Sequence, residues 1–345
     1  MRHLSVRAPG RVNLIGEHTD YNGGLCLPFA IDRVLTVTAE RLEGDEVEVH
    51  AADLGERDRF RLGAVAAAAG WRAYVRGAAS ELVFAGHSVT GTRLEIRSEL
   101  PVGAGLASSA ALTIAVALAF LEIAGGPAPQ AGVLARLCAR VENRWAGAET
   151  GLLDQLAILC ARPGHALLFD ASAESEQGAV EPVPLDIGDW RLCLLDSGAR
   201  HEHAEGGYNR RRAECRAACE LLGVDALSQA KPGDAARLPP PLDRRARHVL
   251  TENGRVARMV DALARSDLVA AGRLLDEGHA SLRDDYEVSV PAVEEAVARL
   301  RAAGATGARM TGGGFGGFVI GLLPPGAPPP EAALALRVAG PVRVS

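Results

Sequence analysis

The chain has 345 residues, of which 48% are hydrophobic and 4% aromatic, and it carries a formal net charge of −6. That length suits one large domain or two ordinary ones, with an Ala/Leu/Val-rich core that needs neither metal nor disulfide to hold it. The acidic balance excludes a broad basic field for nucleic acid or anionic lipid, so an anionic ligand must be held by local groups.

Residue usage narrows the chemistry further. Lys231 is the single lysine, and its Ala-Lys-Pro-Gly setting reads as a surface turn. A phosphate-clamping P-loop lysine, a Schiff-base lysine and a protein-kinase lysine therefore have no candidate. Cys26, Cys138, Cys160, Cys193, Cys215 and Cys219 form no C-x-x-C pair. Cys215 and Cys219 share a helical face, but no second pair stands at zinc spacing, which favours core filler over metal. The start, Met-Arg-His-Leu-Ser-Val-Arg, has no apolar signal core, and no run is long and charge-free enough to cross a bilayer. The expectation is a soluble cytoplasmic protein.

The predicted elements begin with strands. Val34–Glu40, Glu46–His50 and His87–Ser98 are β-prone, and between them the Ala-rich stretch Leu62–Phe84 reads as a helix holding Trp71 and Tyr74. Ser109–Ile123 is a nearly continuous apolar run and reads as a buried helix; Ala131–Trp145 and Leu152–Cys160 also look helical. His165–Phe169 and Arg191–Leu195 are strand-like. Asn209–Leu222, Asp243–Ala264, Leu268–Leu282 and Val293–Ala303 are helical, with a Pro-rich loop at 229–242. After the strand-like 318–322 the proline-rich 324–330 precedes an expected last helix and strand. The order suggests an α+β protein of two lobes with a cleft between them, and no repeat at a solenoid period.

Four segments carry chemistry. Residues 8–24 would read structurally as strand, turn and hairpin, but that leaves Arg11, Glu17, His18 and Asp20 crowded round an apolar Val12–Ile15 stretch without explanation. Carboxylates and imidazole in such density suit polyol recognition, because each sugar hydroxyl both donates and accepts. Residues 100–111, Leu-Pro-Val-Gly-Ala-Gly-Leu-Ala-Ser-Ser-Ala-Ala, run a small-residue loop into the long helix. Close backbone approach and free helix N–H groups suit phosphate, and the hydroxyls of Ser108 and Ser109 can cap the helix or reach Mg²⁺. An ordinary Ser-capped helix is the plain alternative; no G-x-x-x-x-G-K-[ST] is present. Residues 309–318 place five glycines in six positions at 312–317, as for backbone passing close to a ligand or a flexible turn. The formal G-x-G-x-x-G there is followed by a strand and is not a dinucleotide fingerprint. Finally, Glu142 and Asp154 bracket Gly147 and Gly151; by itself Asp154 reads as a helix N-terminal charge.

Together these segments resemble the galactokinases of the GHMP kinase superfamily. GRVNLIGEHTDYNGG is similar to the galactokinase signature nearly letter for letter, LPVGAGLASSAAL to the superfamily phosphate loop, and ARMTGGGFGGF to its third motif. Weaker likenesses lie at Trp71–Gly77, at Arg200-His201 with Tyr208, at His248–Glu252 and at Ser281–Ser289, so the resemblance runs from Ala8 to Leu322. It implies transfer of the ATP γ-phosphoryl group to the C1 hydroxyl of α-D-galactose. Asp154 matches the catalytic aspartate, taking or orienting the hydroxyl proton, and Arg11 the arginine that keeps it ionised and offsets phosphoryl charge. Glu17, His18, Asp20, Gly151 and Tyr208 match sugar contacts. Ser109 and Glu142 match Mg²⁺ ligands, and Gly103, Gly105, Ser108 and Ser109 would line the phosphates. Trp71 falls where an aromatic meets adenine; a core aromatic is the equal alternative.

The implied fold is a two-lobed α+β GHMP kinase: a ribosomal-S5-like lobe over 1–170 and a ferredoxin-like lobe with extra helices over 171–345. The implied partners are galactose and ATP with no nucleic acid or membrane, and the protein is taken as a monomer. Departures from the family pattern are Ala107 for a serine, Thr113 for a common glutamate, Gly198 for a frequent asparagine, a start close to the first motif and a short divergent tail. Two other readings stand beside this one: a kinase of the superfamily acting on N-acetylgalactosamine or L-arabinose, and a non-catalytic sugar sensor. The complete Glu17-His18-Thr19-Asp20 set favours galactose, and the presence of Asp154, Arg11, Ser109 and Glu142 disfavours a sensor.

Overall fold

The chain opens with a long strand that bends where its chemistry begins. The computed structural model describes residues 3–101, 105–148, 151–172, 179–199 and 204–345. β1 (His3–Asn13) alternates buried Leu4, Val6 and Ala8 with more exposed partners, then is buried without interruption from Ala8 onward. It pairs antiparallel with a later strand, Pro28–Arg41, and the register slips between Pro9 and Arg11. Gly10 sits in that slip because a Cβ there would lie 2.5 Å from the Leu100 side chain and 2.9 Å from the Leu106 carbonyl. Such a bulge re-aims the next side chain, here Arg11.

After β1 come β2 (Leu25–Cys26), β3 (Pro28–Arg41), β4 (Glu46–Ala51), β5 (Glu56–Arg61), α1 (Trp71–Phe84) and β6 (Thr92–Ser98). Then follow α2 (Ser108–Ala124), α3 (Ala131–Trp145), α4 (Leu153–Leu159), β7 (His165–Asp170), β8 (Ala179–Pro184) and β9 (Arg191–Asp196). The rest is α5 (Ala204–Leu222), α6 (Leu242–Ala264), α7 (Leu268–Asp284), α8 (Pro291–Ala302), β10 (Gly307–Met310), β11 (Phe318–Leu323), β12 (Leu334–Ala335) and β13 (Arg343–Val344). One sheet runs β13-β1-β3-β6-β4-β5, a second β10-β11-β9-β12, and a third β2-β7-β8. α2 packs on β1 and β3 and against α1 and α3. It is apolar on nearly every face, and its residues from Ala110 to Leu121 are all buried, as the unbroken apolar run predicts.

The largest apolar cluster joins the first sheet and α2 to Val256 and Met259 of α6 and Leu275 of α7, so the two halves share a core. A second cluster lies among β9–β11 and α5–α8. The β7–β8 hairpin straddles residue 170, pairing Asp170 with Ala179. Among the described residues, no helix is long and apolar enough to cross a membrane.

Three expectations need correction. The helix expected from Leu62 starts at Trp71. Residues 66–69 are mostly exposed and Gly70 has φ +61°, so alanine propensity there has no buried face to reinforce it. The strand expected from His87 starts at Thr92, because Gly91 is held by the turn before β4: its N–H bonds the Gly44 carbonyl at 3.0 Å, and its own carbonyl accepts from Leu42 N–H at 2.8 Å. The last helix expected after the proline-rich loop does not form. Its residues instead supply edge pairing, β12 on β9 and β13 on β1, with Ser5 and Ser345 exchanging both backbone hydrogen bonds. Sheet edges offered those backbone groups partners that overrode helix propensity.

Candidate active site

Two cavities meet at one ion pair. The bulge turns Arg11 inward, and α4 begins at Leu153, so that Asp154 in its first turn faces the guanidinium. Arg11 Nε donates to Asp154 Oδ1 and Nη2 to Oδ2, both at 2.6 Å, while Nη1 donates to the Gly105 carbonyl at 2.6 Å. This is a bidentate charge-assisted pair, which fixes orientation as well as charge. Arg11 and Asp154 line both cavities.

The smaller cavity, about 190 Å³, is lined by Asn13, Gly16, Glu17, His18, Asp20, Gly151, Tyr208, Gly312 and Gly313 besides the pair. The turn after β1 shapes it. Thr19 Oγ1 lies 2.7 Å from both the Gly16 and Leu25 carbonyls, and Asn22 Nδ2 donates to the His18 carbonyl at 2.7 Å. These bonds support His18 at φ +63°, a conformation uncommon outside glycine. A Cβ at Gly151 would stand 3.0 Å from Asp20 Oδ2, a tight contact that would push on that carboxylate. Glu17 is buried; its Oε1 accepts from Gly312 N–H at 3.2 Å, and its Oε2 forms an ion pair with Arg309.

Burial sets the protonation states. It lowers the His18 imidazole to about 3, helped by neighbouring His248 and Arg211, so the ring is neutral and can donate from one nitrogen and accept at the other. His18 Nδ1 pairs with the Tyr21 hydroxyl at 2.9 Å. Burial lifts Asp20 to about 6, with the charge of Asp154 adding to the rise. It also raises Glu17 and the Tyr208 phenol.

The larger cavity, about 540 Å³, is mostly apolar: Leu35, Ala51, Leu54, Trp71, Tyr74, Ile96, Leu100 and Leu112 line it, with Gly105, Ser108 and Ser109 at the end near Asp154. No side-chain hydrogen bond caps the start of α2, whose N-cap Ala107 adopts φ +59°. The N-terminal dipole of a 17-residue helix thus opens toward this cavity beside the guanidinium. Trp71 lines the cavity wall, its Nε1 bonded to Glu56 at 2.8 Å.

The structure therefore brings Arg11, Glu17, His18, Asp20, Gly151, Asp154 and Tyr208 round one cavity, and Trp71, Gly105, Ser108 and Ser109 round the other. Gly103 and the Arg200-His201 pair lie outside the described residues. Glu142, on α3, is buried and lines neither cavity. Thr113, the departure from glutamate, is buried with its hydroxyl returned to the Ser109 carbonyl at 2.9 Å.

Asn13, Tyr21, Gly312, Gly313, Glu252, Tyr286 and Arg309 join the site without standing out in the sequence. All lie inside motif stretches, and the missing signal was which motifs touch: Arg309 donates to the Leu14 carbonyl at 3.0 Å and Thr311 to the Asn13 carbonyl at 3.0 Å, joining the first motif to the third.

Comparison with known proteins gives the family and the fold. The galactokinase galactose-binding signature matches residues 2–41, the GHMP kinase N-terminal domain 73–162 and the GHMP kinase C-terminal domain 259–341. A galactokinase of Streptomyces coelicolor is 42% identical over 92% of this chain and 83% of its own length. One of Mycobacterium tuberculosis is 45% identical over 93% and 89%. The crystal structure of Lactococcus lactis galactokinase complexed with galactose superimposes with a TM-score of 0.90 at 29% identity, over 99% of this chain and 95% of the other. A mevalonate kinase of Methanococcus jannaschii shares the fold at TM-score 0.71 and 18% identity. The two-lobed α+β architecture is thus the GHMP kinase fold, and the chain belongs to the galactokinase family.

Proposed function

We propose that the protein transfers the γ-phosphoryl group of ATP to the C1 hydroxyl of α-D-galactose, giving galactose 1-phosphate and ADP. The observation that carries this reading is that Asp154 and Arg11 form the shared wall of a small polar cavity and a larger apolar one. A hexose in the first and a nucleotide in the second would meet at that wall.

In this reading Glu17, His18, Asp20 and Tyr208 hold the sugar hydroxyls, and the missing Cβ of Gly151 leaves them space. Asp154, fixed by Nε and Nη2 of Arg11, accepts the C1 hydroxyl proton through a remaining lone pair as that oxygen bonds to the γ-phosphorus. The bond from phosphorus to the β,γ-bridging oxygen breaks, and ADP leaves with its electrons. A positioned base contributes about 10²–10⁴-fold; most of the remainder comes from alignment and charge stabilisation. The guanidinium of Arg11 and the α2 N-terminus face the transferring group from the protein side, with Gly105, Ser108 and Ser109 beside the phosphates and Trp71 beside adenine; Gly103 is assigned to the phosphate loop by motif alone.

Mg²⁺ is assigned to Ser109 and Glu142. Among the described residues no cluster of three or more His, Cys, Asp or Glu could cage a metal. A hydroxyl and one carboxylate fit an ion held mainly by phosphate oxygens and water. Bound there it would neutralise charge on the phosphates. We also assign residues 1–170 and 171–345 to the two lobes, and a cytoplasmic, monomeric enzyme that binds neither nucleic acid nor membrane.

The test is ADP release across a sugar panel. Galactose should give the highest kcat/KM. Equal or better turnover of N-acetylgalactosamine or L-arabinose would move the substrate assignment, and stabilisation by galactose and ATP without ADP would revive a sensor.

A further inference from the structure

Arg309 lines neither cavity, yet it is fully buried and reaches the turn that closes the hexose cavity: it touches the Leu14 carbonyl, the cavity-lining Glu17, and Glu252, which itself holds the cavity-lining Gly16. It stands on β10, 292 residues after Glu17 in sequence. Nη1 donates to the Leu14 carbonyl at 3.0 Å and pairs with the Glu17 carboxylate; Nη2 donates to Glu252 Oε1 at 3.1 Å. Glu252 Oε1 also accepts from Gly16 N–H at 3.0 Å, and its Oε2 accepts from Arg255 Nε at 2.6 Å. Residues 14, 16 and 17 are thus each gripped by one charged cluster from β10 and α6.

That cluster balances two carboxylates against two guanidiniums, and its members are not equivalent. Arg255 pairs with Glu252, whereas the cation on Glu17 is Arg309. Facing Glu17 are Arg309 from β10, Glu252 and His248 from α6, and Gly312 N–H; His248 Nε2 bonds the Glu17 carbonyl at 3.1 Å. Burial and the neighbouring Glu252 both favour a neutral Glu17, and Arg309 opposes them. A guanidinium alone suits this place: one planar fork reaches a carbonyl and two carboxylates, which a lysine point charge cannot reproduce.

We propose that Arg309 is a positioning residue of the hexose site, which through its buried ion pair aims the Glu17 carboxylate at a sugar hydroxyl and makes galactose affinity depend on the contact between the first and third motifs. The proposal rests on the reading that Glu17 meets the bound sugar. Chemistry at Asp154 and the nucleotide cavity are separate from it, since neither touches the cluster.

The experiment measures steady-state kinetics, pH profiles and thermal melts for wild type, R309K, R309M, E17Q and E17Q/R309K. R309K keeps the charge and provides a folded variant should R309M not fold. R309K should raise galactose KM at least about tenfold, leave ATP KM within about twofold, and move the acid limb of kcat/KM for galactose to higher pH. E17Q should raise galactose KM comparably and leave an acid limb, set by Asp20, that R309K no longer moves; R309K should add little in the E17Q background, the mark of a coupled pair. If E17Q raises galactose KM but R309K changes neither KM nor the limb and only lowers the melting temperature, Arg309 is structural and the proposal falls. If E17Q leaves galactose KM unchanged, the placement of the sugar against Glu17 falls, and the role of Arg309 falls with it on that separate measurement.

Discussion

The two cavities share one wall and are otherwise built from different materials. The smaller is closed by Glu17, His18 and Asp20 from one turn, by Tyr208 from α5 and by the glycines after β10; Glu17 is buried and paired with Arg309, and Asp154 is paired with Arg11. The larger is walled mostly by apolar side chains, those of β3, β6, α1 and α2 among them, with polar groups at Asp53, Ser98, the start of α2 and the Arg11–Asp154 wall. The first can distinguish hydroxyl stereochemistry, because each buried polar group must be answered by a ligand group or left unsatisfied. The second offers area and a dipole, which tolerate substitution. The steep mutational effects should therefore lie on the hexose side and at the wall, and the shallow ones on the nucleotide side.

The sharpest break of that contrast would come at the wall. Asp154→Asn should lower kcat about 10³-fold while the dissociation constant for galactose, measured by calorimetry, stays within a few-fold. Retained turnover would show that another group takes the proton. On the hexose side the expected effect is pH-linked. Burial lifts Asp20 from its ordinary 3.8 to about 6, so its carboxylate forms as pH rises through that value. Galactose KM should fall up to about tenfold per pH unit below it, and Asp20→Asn should flatten that dependence. The same residue gives a sign for stability. The folded state disfavours the charged form, so the contribution of Asp20 is fully present below about pH 4 and lost as pH rises through 6. D20N should melt above wild type at pH 8, with the gain vanishing toward pH 4; a constant offset would contradict the burial argument.

Smaller effects sharpen the nucleotide side. Glu142→Gln should raise the Mg²⁺ concentration for half-maximal rate about tenfold with galactose KM unchanged, and an unaltered titration would reject Glu142 as a ligand. Trp71→Ala should raise ATP KM roughly three- to tenfold through lost stacking area and leave galactose KM alone. A larger change in galactose KM than in ATP KM would place Trp71 in the wrong half of the comparison.

Legibility in the sequence follows the same division. The hexose turn was readable because its charged residues are contiguous, and unpaired charge round an apolar stretch demands an explanation. The long buried helix α2 was readable because no polar face interrupts it. Arg309 was not, since a buried arginine and a solvated one look alike in a sequence, and its partners Glu17 and Glu252 are distant in the chain. Leu62–Gly70 and the tail were misread for a shared reason: their alanines favour helix locally, but one segment has no face to bury and the other is captured by sheet edges. Glu142 is assigned by motif alone, and its burial outside both cavities is a tertiary fact that no spacing encodes.

In the proposed reaction Asp154 faces the anomeric hydroxyl at the wall between the cavities. The direct measurement is proton–phosphorus NMR of the product made from galactose and ATP. It should show phosphorus coupled to the anomeric proton of an α-pyranose; phosphorus coupled instead to the C6 protons would contradict the placement of the acid and the mechanism built on it.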